Sequence, residues 1–290
     1  MLTVLAPAKV NLTLEVVAKR ADGFHEIRSV VQTIDLCDRL HFRLSDRVEF
    51  RCSDPNWVSE ESLVSKAADL LCQRAGRSKG AIVTLKKRIP LISGLSGDSS
   101  DAAAMLRGLN RLWGMGLSLG ELLGLAEELG SDVPFFLCGG TALLEGRGEV
   151  VTPLPPFPQM WLVLVLPPVP RMAGKTGRLY SRIRAEHYTD GEATKRLVSQ
   201  LSKGGGVMPA PAMLFNVFDR VALDYFDGLS VYREQFLKSG AQEIHLAGSG
   251  PVLFTLTGDE TRAERIYRNL KRQKLESYLT HTLAAIEYIG

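Results

Sequence analysis

The stretch Ile89-Pro90-Leu91-Ile92-Ser93-Gly94-Leu95-Ser96-Gly97-Asp98-Ser99-Ser100-Asp101-Ala102-Ala103-Ala104 constrains this chain more than any other, because it joins a small-residue loop, Ser93 to Asp98, to a helix start. Ser99, Ser100 and Asp101 announce the helix and the alanines carry it. Such a helix presents unpaired backbone N–H groups at its first turn, together with the positive end of its dipole. Small side chains ahead of it let a polyphosphate approach those donors closely. An ordinary capped helix after a surface loop is written the same way, so an anion site here needs support from other segments.

The chain is long enough to supply it: 290 residues, 45% hydrophobic and 23% charged, suffice for two cores. A net charge of +3 and no long Lys/Arg block argue against a nucleic-acid partner and make any attraction for polyanions local. Lys86, Lys87 and Arg88, just before the loop, read as a solvated strand end, with a reach of Lys86 or Lys87 toward a nucleotide as the alternative. Cys37, Cys52, Cys72 and Cys138 are scattered, and the histidines are not clustered, so the cysteines read as reduced core thiols and no metal site is expected. The N-terminus lacks a basic segment followed by an apolar one, and the apolar run Trp161 to Leu166 is far too short for a membrane span. A cytoplasmic protein with no membrane partner is expected.

Along the chain, Val10, Leu12, Leu14 and Val16 alternate with Asn11, Thr13 and Glu15, the spacing of a strand with one buried face. Lys9 and Asn11 then share the other face, where a lysine is ordinarily a solvated edge charge. A turn at Ala21-Asp22-Gly23 leads to Phe24-His25-Glu26 and an apolar segment, Val30 to Leu36. Leu40, Phe42 and Leu44, then Val48, Phe50 and Cys52, continue the alternation across a turn at Ser45-Asp46. Glu60 and Glu61 in a first turn, followed by Leu63, Ala67, Leu70 and Leu71, predict a helix ending at Gly76. Ile82 to Leu85 is a strand that delivers the chain to Pro90.

Ser118 and Glu121 form a capping-box pattern for a helix reaching Gly130. Gly130-Ser131-Asp132-Val133-Pro134 is a second loop-to-helix junction, with Asp132 at or next to an N-cap, a position where capping alone explains an aspartate. Thr141 to Leu144 and Val150 to Leu154 flank a glycine-rich hairpin turn. Pro153, Pro155, Pro156 and Pro158 then set a domain boundary, giving an N-terminal domain 1–154 and a C-terminal domain 155–290.

Beyond the prolines, Gly174-Lys175-Thr176 has the look of the end of a Walker A loop, but Val169 stands where its first glycine is required and prolines flank it, so that reading is rejected. Lys203 to Met208 reads as a linker between two helices, the second including Met213 to Tyr225. A helix over Leu229 to Leu237, a strand Glu243 to Leu246, the sharp loop Ala247-Gly248-Ser249-Gly250-Pro251 and a returning strand Val252 to Leu256 follow. A helix Ala263 to Lys271 and a strand Tyr278 to Leu283 complete a split βαβ pattern.

Three segments now stand in order: Pro7-Ala8-Lys9-Val10-Asn11-Leu12, the Pro90 to Ala104 loop and helix, and Leu246 to Phe254 with its Gly-Ser-Gly. Together they resemble the GHMP family of small-molecule kinases, end to end. The resemblance implies an α+β, two-domain GHMP kinase fold: an N-terminal domain like domain 2 of ribosomal protein S5, a ferredoxin-like C-terminal domain, and an active site between them. It implies ATP and Mg2+ as cofactors, with ATP along Pro90, Leu91, Ile92, Ser93, Gly94, Leu95, Ser96, Gly97, Asp98, Ser99 and Ser100. By matching positions Asp132 takes the proton of the attacking hydroxyl, Lys9 holds that hydroxyl and supports the charge on Asp132, and Asn11 is a polar positioning group.

Asp-Gly-Phe-His-Glu, Gly-Ser-Asp-Val-Pro-Phe-Phe and Gly-Gly-Thr-Ala narrow the resemblance to members that phosphorylate the 2-hydroxyl of a cytidyl-linked methylerythritol, a small-molecule partner of non-mevalonate isoprenoid synthesis. There His25 matches the reader of the cytosine edge, and Phe24 and Tyr180, four residues after Thr176, match the rings stacked on its faces. A kinase for another small alcohol, of homoserine or mevalonate type, and a non-catalytic nucleotide-binding regulator remain the alternatives. A monomer or weak homodimer is expected. Ser96 and Asp98 depart from the family's glycine run, Phe24 replaces its usual tyrosine, and Val217 and Ser62 stand where it favours aspartate and asparagine. Aspartate tolerates a left-handed backbone, which lets Asp98 keep the loop's shape. Its carboxylate repels phosphate unless it faces away or binds Mg2+.

Overall fold

One strand of 21 residues is the spine of the N-terminal half in the computed structural model, which describes residues 1–75, 79–170, 174–203 and 213–285. The chain opens with β1 (Leu2–Asn11) and β2 (Thr13–Lys19), and the spine is β3 (His25–Ser45). The two apolar segments expected between His25 and Ser45 are thus continuous. Continuity is possible because β3 changes partners along its length: β2 at its start, β1 along most of the rest, and further strands on its other side. Pro7 faces Cys37 but Ala8 faces Ile34, a bulge that bends the pair. Proline has no N–H to lose from the ladder, so the break falls where it costs least.

β4 (Glu49–Cys52), α1 (Leu63–Ala75) and β5 (Gly80–Lys86) follow, β5 antiparallel to the end of β3. Gly76, the expected helix stop, lies outside the described residues. The phosphate-loop helix is α2 (Gly97–Leu112), and α3 (Leu119–Leu129) carries the expected capping box. After α4 (Val133–Cys138), the hairpin β6 (Thr141–Glu145) and β7 (Val150–Pro153) closes the eight-stranded sheet on β3. The helices cover one face of this sheet, where Leu40, Phe42, Val83 and Leu85 meet the alanines of α2 and Phe135 and Phe136 of α4. Packing there is close: a Cβ on Gly108 would lie 2.2 Å from the Phe42 ring.

In the second half, β8 (Trp161–Val165), α5 (Lys175–Tyr180), α6 (Glu192–Ser202), β9 (Phe215–Asn216), α7 (Asp219–Tyr225) and α8 (Leu229–Lys238) precede β10 (His245–Leu246), β11 (Leu253–Thr257), α9 (Glu260–Arg272) and β12 (Ser277–His281). Four strands pair antiparallel in the order β10-β11-β8-β12, the ferredoxin-like arrangement. The helix expected over Met213 to Tyr225 starts only at Asp219, because Phe215 and Asn216 pair in parallel with β2. Asn216 Nδ2 also donates to the carbonyls of Leu246 and Gly248, so tertiary hydrogen bonds override the helical periodicity. Of the expected linker only Lys203 is a described residue.

The halves meet over Ala8 and Val10 of β1 and Leu12 between β1 and β2, buried with Leu162, Leu164 and Phe254 of the second sheet. Among the described residues no helix is long and apolar enough to cross a membrane. The solvated reading of Lys87 is wrong: its Nζ lies 2.5 Å from both Asp38 Oδ2 and Asp101 Oδ2, with a side chain only 4% exposed. Burial opposes the Lys87 charge, but the two carboxylates outweigh it and hold the ammonium above its usual range, while burial pushes the Asp101 carboxyl well up. Asp38 Oδ1 meanwhile accepts from the Arg88 and Ile89 amides, which sets the course of the chain into Pro90.

Candidate active site

The phosphate loop rests on two supports. Beneath it, Ser100 Oγ donates to the Pro7 carbonyl at 2.7 Å and the Lys9 amide donates to the Leu95 carbonyl at 3.2 Å, both at the bulge of β1. Beside it, the Val252 amide donates to the Ser93 carbonyl, and a Cβ on Gly94 would fall 2.1 Å from the Ala247 carbonyl oxygen. Only glycine permits that approach at a φ of 91°. The three motifs thus form one wall of a cleft of about 990 Å3 that runs between the two halves.

α2 begins at Gly97, two residues earlier than its sequence announces, and the left-handed residue ahead of it is Ser96, φ 55°, rather than Asp98. Asp98 sits in the first turn with its carboxylate turned onto another helix end. Ser62 Oγ donates to Asp98 Oδ1 at 2.6 Å and the Leu63 amide donates to Oδ2 at 3.1 Å, while Ser62 Oγ itself accepts from the Val64 amide. The carboxylate therefore caps α1, where the helix dipole favours it.

Ser96 serves the opposite partner. Its hydroxyl donates to Asp132 Oδ2 at 2.6 Å, and Lys9 Nζ lies 3.7 Å from the same oxygen. Asp132 stands at the N-cap of α4 but makes no capping hydrogen bond there, so the capping reading of this residue fails. Lys9 is no solvated edge charge either: it is 5% exposed and donates to Asn11 Oδ1 at 2.8 Å. Asn11 Nδ2 in turn donates to Ser29 Oγ, and Ser29 donates to the Thr13 carbonyl. That chain of donors fixes the Asn11 amide with its oxygen toward Lys9. A buried cation, a carboxylate and a helix N-terminus facing one cleft can bind a phosphoryl donor and take a proton from an acceptor.

At the far end of the cleft the His25 ring stacks on Tyr180, centroids 5.2 Å apart and planes at 20°, and Tyr180 meets the edge of Phe218 at 4.9 Å. Phe24 is 53% exposed, with the Arg147 guanidinium 4.8 Å from its ring centroid. The expected arrangement, Phe24 and Tyr180 as two open flat faces with His25 at the edge, is therefore not the one seen. Two rings that can reach one another bury apolar area by stacking, so His25 lies on the face of Tyr180. Burial, with Lys19 contributing, lowers the His25 pKa and keeps the imidazole neutral near pH 7. Thr176 Oγ1 pairs with Ser249 Oγ at 2.9 Å, beside the phosphate loop.

Several lining residues escaped the sequence. Trp57 and Val58 form an apolar shelf with Ile92 of the expected ATP loop, Val58 and Ile92 being 47% and 43% exposed. Arg147 belongs to the hairpin turn. Lys175, dismissed with the failed Walker pattern, is buried in the cleft with its Nζ 2.6 Å from Ser249 Oγ. A single lysine brought into the cleft by the fold leaves no local motif around Lys175.

Among the described residues no cluster of three or more His, Cys, Asp or Glu side chains is disposed to hold a metal ion. Cys37, Cys52, Cys72 and Cys138 are all free thiols, and burial pushes the Cys37 thiol up to about 12.

An S5-like sheet and a ferredoxin-like sheet enclosing a glycine-serine phosphate loop define a small-molecule kinase, and the family comparison agrees: the GHMP kinases N terminal domain matches residues 62–140 and the GHMP kinases C terminal domain residues 197–276. The chain belongs to the GHMP kinase family. Within it, a Dehalococcoides mccartyi protein named 4-diphosphocytidyl-2-C-methyl-D-erythritol kinase is 49% identical over 287 residues, 99% of this chain and 100% of the relative. A Geobacillus kaustophilus protein of the same name is 37% identical, covering 93% of each chain. The crystal structure of a 4-(cytidine 5'-diphospho)-2C-methyl-D-erythritol kinase superposes with a TM-score of 0.79 at 31% identity, over 97% of this chain and 98% of that one. Homoserine kinase from Cytophaga hutchinsonii shares the fold, with a TM-score of 0.74 at 19% identity over 99% and 95% of the two chains.

Proposed function

We propose that this kinase transfers the γ-phosphoryl group of ATP to the 2-hydroxyl of 4-diphosphocytidyl-2-C-methyl-D-erythritol, in the non-mevalonate pathway of isoprenoid biosynthesis. The observation that carries the reading is the convergence of Ser96 and Lys9 on one carboxylate oxygen of Asp132 at the mouth of the α2 N-terminus. The relatives' names choose the acceptor.

In this reading the nucleotide's phosphates lie along Pro90 to Ser100 against the first-turn amides of α2, and its adenine against Trp57, Val58 and Ile92. The acceptor's hydroxyl sits between Lys9 and Asp132. Asp132 takes its proton as the bond to phosphorus forms, and Lys9 holds the carboxylate in place. The His25 ring, neutral, offers one donor and one acceptor to the cytosine edge, with Phe24 and Tyr180 as stacking partners after the side chains rotate, and Thr176 close to the acceptor. Among the described residues Mg2+ finds no built carboxylate site: Asp98 is bound to Ser62 and Leu63, and Asp132 to Ser96. A cation that neutralises the phosphates enters with the nucleotide, and no step above depends on it. The division into domains falls in the proline-rich stretch after residue 154, although α6 and β9 reach back onto the first sheet.

The test is coupled ADP release with MgATP, offering the cytidyl compound, homoserine and mevalonate side by side. Turnover confined to the cytidyl compound is expected. Turnover of another alcohol keeps the chemistry but overturns the acceptor.

A further inference from the structure

Among the described residues Lys175 is the one buried lysine of the cleft for which the reading above has no task. It is 5% exposed, at the first position of α5, and among the described residues its one side-chain hydrogen bond goes to the neutral hydroxyl of Ser249. Lys87, equally buried, holds two carboxylates, and Lys9 faces Asp132. Among the described residues no carboxylate forms an ion pair with Lys175. An ammonium taken out of water without a counter-charge is costly, and it persists where a fold presents it to an anion that arrives from outside.

Its neighbours indicate which anion. Ser249 also pairs with Thr176, and a Cβ on the adjoining Gly248 would lie 3.6 Å from Lys9 Nζ and 2.8 Å from the Gly94 carbonyl. Ser249 therefore places Lys175 where the phosphate loop, Lys9 and the acceptor's site meet. Burial, then the nearby Lys9 charge, lowers the Lys175 pKa to about 8, with Asp132 partly opposing. An anion bound between two such like charges is attracted by both and relieves their repulsion.

We propose that Lys175 is a further catalytic residue, a second active-site cation that binds the oxygens of the phosphoryl group during transfer, with Ser249 holding it in position. The inference rests on the kinase reading above. In the step concerned, the acceptor oxygen forms its bond to the γ-phosphorus as the bond from that phosphorus to the β–γ bridging oxygen breaks. The hydroxyl proton passes to Asp132 and the electron pair leaves with ADP. Lys175 changes no covalent bond and gives up no proton: it offsets the charge on the transferred group, which is the main demand that phosphoryl transfer makes of a protein.

The test compares wild type, Lys175→Met and Lys175→Arg in steady-state ADP release, with ATP binding and thermal unfolding of each variant. Lys175→Met is expected to lower kcat by about 10²–10³-fold. Its KM values should stay within about threefold and its unfolding temperature should not fall, because the variant removes an unpaired buried charge. Lys175→Arg restores at least tenfold of the loss. Wild-type kcat/KM falls as pH rises through about 8, where the ammonium is lost, and Lys175→Arg moves that limb upward. A Lys175→Met enzyme with kcat within threefold of wild type overturns the proposal. So does a variant whose only defect is a raised KM for the cytidyl compound, which would put the ammonium on the acceptor's diphosphate. A wild type inactive on that compound overturns the kinase reading itself, before any variant is compared.

Discussion

Ser62 Oγ and Asp98 Oδ1 are 2.6 Å apart, so the acidic residue that interrupts the phosphate loop's glycine run is bound to the first turn of α1. With the Leu63 amide on its other oxygen, Asp98 ties the loop to the helix that flanks it, so both carboxylate oxygens are engaged by that helix end while the residue still lines the cleft. Asp98→Ala should lower stability by about 1 kcal/mol, the worth of a helix cap, in denaturant unfolding. The dissociation constant for ATP should tighten slightly or stay within about threefold. A tenfold weakening would show instead that Asp98 serves the nucleotide.

Asp132 receives Ser96 and Lys9 on one oxygen and makes no cap, and the proposed mechanism gives it the acceptor's proton. Asp132→Asn keeps the shape and removes the base, so kcat should fall by about 10²–10⁴-fold with ATP affinity preserved in calorimetry. Ser96→Ala takes away one donor and should cost about tenfold. Unchanged turnover in Asp132→Asn would remove this residue from the mechanism.

The proposed function gives His25 the reading of the acceptor's base, for which its neutrality matters. Replacement by alanine should raise KM for the cytidyl compound by at least about tenfold and leave KM for ATP within twofold, since one lost recognition contact is worth about 1–3 kcal/mol. Burial and Lys19 depress the imidazole pKa below its ordinary 6.5. The neutral form therefore persists as pH falls to that value, and acceptor KM should rise only below it, a dependence absent in His25→Ala. Equal effects on both substrates would sink the assignment.

Lys87 sits between Asp38 and Asp101 in the core. Lys87→Met leaves two buried carboxylates without their cation, a change that typically costs about 3–5 kcal/mol. Chemical denaturation at neutral pH measures it, and because Asp38 also fixes the Arg88 and Ile89 amides, ATP affinity should weaken in the same variant. A loss under about 1 kcal/mol would mean that solvent reaches the triad.

Periodicity found the elements because alternation and helical spacing are local properties: α3 with its Ser118–Glu121 box, α9 and the second-sheet strands all stand close to where the sequence puts them. It failed where a distant partner decides. Phe215 and Asn216 carry a helical pattern yet pair with β2, and β3 runs unbroken because a bulge opposite Pro7 lets it bend. Lys87 and Lys175 show the same limit for side chains. A lysine's burial depends on which carboxylates or hydroxyls the fold delivers to it, and these lie 14 to 74 positions away along the chain.

The sequence by itself therefore determined the small-residue loop before α2, the strand carrying Lys9 and Asn11 on one face, the junction at Asp132 and the family they resemble, all written in neighbouring residues. Tertiary structure alone decided which group each of them meets. Asp98 turns to Ser62, Ser96 to Asp132, His25 onto Tyr180 and Lys175 to Ser249, because hydrogen bonds and desolvation act between atoms adjacent in space.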